Sequence, residues 1–179
     1  MRNVPVMVIE LIESEIGKFM DFLIEQSREE LRQQGHVATG KSLQQITRDV
    51  YASLSSNSGG RIYVPDHLMI LDRGVRASRV PYGRGGKDSK YIRALIEWLA
   101  KVRGGDLKSR KKIAFAIAAT AKRTGHPTPG SYRHSSNGRR KNWSEHAIQN
   151  NLDKARQYID FVKILQAIID ENVRQLKAA

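Results

Sequence analysis

Thr47-Arg48-Asp49-Val50-Tyr51-Ala52-Ser53-Leu54 runs into Ser55-Ser56-Asn57-Ser58-Gly59-Gly60, and Arg61-Ile62-Tyr63-Val64 follows. The first segment reads as extended, with Val50 and Tyr51 as good strand formers. Six small or polar residues then break it. The short apolar return over 61–64 makes the pair a β-hairpin with a long loop. Elsewhere there are too few apolar runs for a parallel sheet.

Towards the N-terminus, Thr39-Gly40-Lys41-Ser42 opens a short amphipathic piece with Leu43 and Ile46. Before it, Ile9, Ile12, Ile16, Phe19 and Leu23 step by three and four residues, one stripe of a helix. Pro5 suits its first turn and Gly35 its stop, which gives a helix over roughly 5–34, about 45 Å long. Gly17 weakens it by about 1 kcal/mol. A coiled coil is the other reading of the stripe, but Ser27, Glu30 and Gln34 dilute its far half.

Towards the C-terminus, Pro65 ends the hairpin, and Asp66 caps a short helix His67–Asp72 closed by Gly74. Residues 76–90 form a loop carrying Pro81, Gly83, Gly85 and Gly86 among Arg76, Arg79, Arg84, Lys87 and Lys90. Asp88 or Ser89 caps the next helix, with Ile92, Leu95, Ile96, Leu99 and Val102 on one face. After Gly104-Gly105, Ser109 starts another, with Ile113, Ile117 and Ala121 inward and Gly125 at its stop. Its first turn, Arg110-Lys111-Lys112, has the wrong sign for a helix N-terminus and suggests an external anion, although a solvated terminus gives the same pattern. The polar stretch 126–143 predicts a loop that orders only on contact. From Ser144 a second long helix is expected, with Ile148, Leu152, Ala155, Ile159, Val162, Ile169, Val173 and Leu176 at spacings mostly of four and three.

Charge is distributed unevenly over this frame. The 179-residue chain carries a net +13, with a pI near 10.2. Residues 61–143 hold 20 Lys/Arg against 5 Asp/Glu, whereas the two flanks are near neutral. So positive a segment repels itself unless solvent, a polyanion or an acidic surface lies beside it. The length suits a single domain over 1–179, with mobile basic loops at about 76–90 and 126–143. There are no cysteines, which excludes disulfides and thiolate chemistry. No apolar run approaches the roughly 20 residues of a membrane span, and Glu10, Glu13 and Glu15 interrupt the only stretch that could serve as a signal peptide.

Gly35-His36-Val37-Ala38-Thr39-Gly40-Lys41-Ser42 fits the P-loop pattern, and Leu68-Met69-Ile70-Leu71-Asp72 resembles the apolar run and Asp that would hold magnesium. A P-loop follows a buried strand, however, and here the pattern follows a polar helix end. His36, His67, His126, His134 and His146 are scattered, and the middle has few carboxylates, so no metal site, catalytic site or cofactor is expected. An enzyme is not the reading. With few aromatics in the basic segment, any DNA contact would run through phosphates, independent of sequence.

The order of pieces is similar to one family. Thr39-Gly40-Lys41-Ser42 leads to a strand, and Gly59-Gly60-Arg61-Ile62-Tyr63 to a short helix ending Leu71-Asp72-Arg73-Gly74. A basic Pro/Gly loop, Ile96-Glu97-Trp98-Leu99, Ala114-Phe115-Ala116-Ile117-Ala118 and Gly125 follow. Over about 38–150 this resembles the tail-completion (neck) proteins that join head to tail in tailed bacteriophages. The resemblance implies an α+β fold: a small, hairpin-based antiparallel sheet packed against long N- and C-terminal helices and two shorter ones. It also implies a homo-oligomeric ring in the virion, assembled in the host cytoplasm, touching portal or adaptor and tail proteins and surrounding the DNA channel, with no membrane partner. Arg73, Arg76, Arg79, Arg84, Arg110, Lys111, Lys112, Arg133, Arg139, Arg140 and Lys141 are then the expected contacts to acidic neighbours or DNA phosphate. Removing one such charge is expected to matter little, and deleting 126–143 to abolish docking. The alternative is a sequence-independent nucleic-acid-binding protein that uses 61–143.

Overall fold

Helix α1 spans Val6–Gln33 and stops where expected, with Gly35 in the left-handed region and the His36 N–H returning to the Leu31 carbonyl at 3.0 Å. The computed structural model describes residues 6–37, 40–53, 57–82 and 89–178. Among these lie eight α-helices and one two-stranded antiparallel sheet, an α+β fold. Contacts divide the chain into two compact units, Met1–Arg28 with Ile46–Val64 and Glu145–Ala179, and Glu29–Gln45 with Pro65–Ser144.

In the first unit the hairpin lies against α1. Strand β1 is Thr47–Tyr51 and β2 is Gly59–Tyr63, with Thr47 opposite Tyr63 and Val50 opposite Gly60. The return strand therefore begins two residues earlier than expected, taking in the glycines read as turn. Their missing side chains are the reason: a Cβ on Gly60 would lie 3.0 Å from Cγ and Cε of Met20 on α1. Arg48 of β1 clamps the same helix, its Nε and Nη2 donating to Asp21 Oδ1 and Oδ2 at 2.5 and 2.8 Å. Because α1 is covered on more than one side, its buried set (Val8, Ile12, Glu15, Met20, Leu23, Ile24 and Ser27) is broader than the predicted stripe.

The second long helix is interrupted twice. Helix α6 (Trp143–Ile148) gives way to a 3-10 turn at Gln149–Asn151, then α7 (Leu152–Arg156), and after four residues α8 (Phe161–Ala178). Asn151 causes the first break: its Nδ2 donates to the Ala147 carbonyl at 3.0 Å, the acceptor its own backbone N–H would use in a helix. Asp160 causes the second. Its Oδ1 accepts from the Lys163 N–H at 2.9 Å and so caps α8 afresh, while its own N–H donates to the buried Glu15 Oε2 at 3.1 Å. Tyr158 stacks on Phe22 with ring centroids 4.6 Å apart. The hydrogen bond from Lys18 is the largest influence on Glu15 and outweighs burial, so its carboxyl titrates below the ordinary range.

The second unit contains α2 (Lys41–Gln44), α3 (Asp66–Arg73), α4 (Lys90–Val102) and α5 (Leu107–Thr124), with 3-10 turns at Ala77–Arg79 and Pro129–His134. Pro65, not Asp66, occupies the cap position of α3. On α5 the fully buried residues are Ala114, Ala118 and Ala121, so the inner face is rotated from the predicted Ile113 and Ile117 and presents small side chains to α4. Gly74 and Gly125, both at positive φ, flank a two-residue bridge in which Val75 and His126 exchange N–H···O bonds of 2.9 and 2.7 Å. A Cβ on either glycine would come within 2.5 Å of a carbonyl oxygen, so only glycine admits this contact.

Candidate functional site

The residues expected to meet a partner fall into three groups. In the first, at 133–141, Arg139 and Arg140 are tied into their own unit, whereas the Arg133 and Lys141 side chains stay exposed. Arg139 forms a two-pronged pair with Glu30, Nε to Oε1 at 3.1 Å and Nη2 to Oε2 at 3.3 Å. Arg140 Nη1 donates to the Gln34 carbonyl, which closes the end of α1, and its Nε is buried without an acceptor among the described residues. The Lys141 carbonyl accepts from Gln34 Nε2 at 3.0 Å, and Ser135 and Ser136 donate to the Gln33 carbonyl. Arg133 stays exposed, its Nε donating to His134 Nε2 at 3.2 Å. The stretch read as ordering only on contact thus has a partner built into the chain, the last turn of α1.

The electrostatics of this seam follow from burial. Burial pushes the Glu30 carboxyl up, but hydrogen bonds from Arg139 and Gln34, with the Arg139 charge, hold it below the ordinary range. His36 bonds through Nε2 to the Arg140 carbonyl and to Gln34 Oε1, each at 3.2 Å. Burial, aided by the Arg140 charge, pushes its imidazole down to about 4. Burial likewise lowers Arg140.

The second group, Arg73, Arg76 and Arg79, sits at the end of α3 and around the following 3-10 turn, which packs on α5. All three are exposed and make no ion pair among the described residues. Arg84, grouped with them in sequence, lies outside the described residues.

The third group opens α5. This helix begins at Leu107, two residues earlier than expected, and Asp106 caps it: Oδ1 accepts from the Ser109 N–H at 2.9 Å and Oδ2 from Ser109 Oγ at 2.6 Å. That hydroxyl bond is the chief reason the Asp106 carboxyl titrates below the ordinary range. Lys111 and Lys112 move into the second turn and a carboxylate stands at the helix dipole, so the sign conflict read from the sequence is resolved within the chain. Arg110 is half-buried and reaches the Asp106 carbonyl at 3.4 Å. Lys108, Lys111 and Lys112 line a shallow depression floored by Leu107 and Phe115.

The nucleotide-binding motif has no support in this geometry. Gly35 follows helix α1 rather than a strand, and residues 38 and 39 of the pattern lie outside the described residues. Both carboxylate oxygens of Asp72 are occupied, accepting from the Ser144 N–H at 2.9 Å and Ser144 Oγ at 2.8 Å. No group of His, Asp or Glu that could hold a metal ion occurs among the described residues. Nor is any described helix long and apolar enough to cross a membrane.

Sequence reasoning missed Trp143, the largest fully buried side chain, whose Nε1 donates to the Leu68 carbonyl at 2.9 Å. It also missed Glu30 and Gln34 as the acceptors and donors that fix 133–141. Their signal was available: polar residues on the apolar face of a long helix need partners. No family model, curated protein or solved structure matches the chain.

Proposed function

We propose that the chain is a structural protein of the head–tail connector of a tailed bacteriophage. In this reading it assembles as a ring between portal or adaptor and tail, around the channel through which DNA passes. The observation that carries it is the segregation of charge. The second unit holds 21 Lys/Arg against 7 Asp/Glu, whereas the first holds 10 against 11, so all the net positive charge belongs to one unit. Arg73, Arg76, Arg79, Lys111 and Lys112 are exposed there without ion partners among the described residues, available to an acidic neighbour or to DNA. The order of hairpin, short helix, basic loop and two further helices supports the resemblance read from the sequence.

Loop deletion is a poor test. Removing 126–143 would take away the partners of Glu30 and Gln34 and the core residue Trp143, so lost docking would report lost folding. Reversing Arg73, Arg76, Arg79, Lys111 and Lys112 to Glu leaves those contacts alone. Native mass measurement and electron microscopy of the purified chain with its portal should show a closed ring for the wild type. The fivefold reversal should keep its helical signal and lose docking; a variant that still joined heads to tails would overturn the reading.

The same exposed cations favour a second reading, sequence-independent binding to nucleic acid. It predicts tight binding of a non-specific duplex by monomer or dimer, with log affinity falling steeply against log salt.

A further inference from the structure

The strongest unexplained surface is the outward face of α8. Val162, Leu165, Ile169, Val173 and Leu176 are 42–77% exposed, although they include residues the sequence pattern placed inward. The restart at Asp160 accounts for this. The helix is re-phased there, and Ile164, Ala167, Ile168, Glu171 and Gln175 form its better-covered side. The two uncharged residues bordering the stripe are tied back along their own helix. Gln166 Nε2 donates to Asp170 Oδ1 at 2.7 Å, and Asn172 Nδ2 to the Ile168 carbonyl at 2.9 Å. Five apolar side chains are left in one clear row.

The row is symmetric about its centre. Its spacings are three, four, four and three, so it reads the same from either end with Ile169 in the middle. We infer that this face pairs with the same face of a second copy, the two α8 helices running antiparallel about a two-fold axis at Ile169. In that register Val162 stands level with Leu176 of the second copy and Leu165 level with Val173, while Ile169 meets Ile169. Each outer level then holds one Val and one Leu, an even fill along the seam. A parallel pairing would stack Val on Val and Leu on Leu, alternating narrow and wide levels, and would align the helix dipoles. Antiparallel pairing also opposes the dipoles. The spacing is that of a helix–helix seam.

The area suffices. With Phe161 at the margin, also 60% exposed, the row offers on the order of 600 Å² per copy, or about 1,200 Å² for the pair when fully covered, the lower end of the range of specific interfaces. Such a contact is isologous and closes at two copies. It differs from the head-to-tail contacts a ring needs, so it stands whether or not the connector reading does.

The absence of cysteine makes the register directly readable. Under mild oxidation, the full chain carrying Ile169→Cys should cross-link to a covalent dimer. The chain with Leu176→Cys alone should not, but mixed with a Val162→Cys chain it should. Sedimentation equilibrium should show a wild-type dimer and, for Ile169→Asp, self-association weaker by on the order of 100-fold, because each copy buries a charge against its twin. Ile169 is exposed in the single chain, so that variant should keep the wild-type helical signal. A monomeric wild type at tens of micromolar would overturn the inference. So would an oligomer unchanged by Ile169→Asp, or Leu176→Cys cross-linking as well by itself as Ile169→Cys does.

Discussion

Replacing Asp72 with Ala removes the acceptor for both polar hydrogens that Ser144 offers, its N–H at 2.9 Å and its hydroxyl at 2.8 Å. Asp72 is buried and Ser144 half-buried, so neither donor passes freely to water. A hydrogen bond to a carboxylate is worth roughly 1.5–3 kcal/mol, and losing a cap at a helix start costs about 0.5–2 kcal/mol. Since the Ser144 hydroxyl can rotate towards solvent, the two losses do not add fully, and Asp72→Ala should destabilise by about 2–4 kcal/mol. Asp72→Asn keeps one acceptor and should cost about half as much. Ser144→Ala leaves the carboxylate its backbone donor and should cost about 1 kcal/mol. Urea unfolding of the three variants and of Asp72→Ala/Ser144→Ala closes the cycle, and the double variant should fall short of the summed singles by about 1 kcal/mol or more. Additive effects, or an Asp72→Ala cost below about 0.5 kcal/mol, would refute a structural role and return this carboxylate to the list of candidate ligands.

Three further outcomes are expected. His36 titrates at about 4 in the folded chain against 6.5 ordinarily, so between those values the unfolded chain binds the proton that the folded chain refuses. Stability should therefore fall as pH drops from about 6.5 to 4, by roughly 1–2 kcal/mol after allowing for its partial exposure. His36→Gln should flatten that slope but not abolish it, because burial depresses His126 in the same direction; an unchanged pH profile from urea unfolding counts against the assignment. Gly60→Val forces a side chain into Met20 and should cost about 1–3 kcal/mol, while Arg61, exposed next to it, should accept Val with little loss; thermal melts distinguish the two. Trp143→Phe loses both volume and the bond to Leu68, and should cost about 1–3 kcal/mol in urea unfolding while leaving the helical signal in place.

What could be read from the sequence was what depends on near neighbours. The period of α1, its stop at Gly35 and the hairpin around the Ser/Gly break are local, and the structure has all three. The C-terminal helix misled because its spacing of three and four runs on through two breaks. Asn151 bonds only to its own preceding turn, so it looks like any polar surface residue. Asp160 depends on Glu15, 145 residues earlier. The internal pairing of Arg139 and Arg140 went unread for the same reason. As a run of cations they look surplus, and their partners Glu30 and Gln34 are more than 100 residues away. Yet Ser27, Glu30 and Gln34, the polar residues that interrupt the apolar seam of α1, are all buried. Buried polar groups on a long helix must be satisfied, and a basic stretch elsewhere is the obvious donor.

That internal use of charge sharpens the functional argument. If every cation of the second unit were as well paired as Arg139, the excess would be a folding device and no partner would be implied. Instead the positions divide. Near the end of α1 the cations are held by a carboxylate and by backbone carbonyls, while along α3, the following turn and the second turn of α5 they face solvent. Solvent-facing cations add little to stability, since exposed pairs are worth about 0–1 kcal/mol even when they form. Their mutual repulsion opposes the folded state, so stability does not account for their number. The proposed function accounts for it by binding, since counter-charges brought by a neighbour or by DNA would turn that repulsion into attraction. Charge reversal in this second set should therefore leave the unfolding midpoint unchanged or raised while it destroys docking, and reversal of Arg139 should do the opposite.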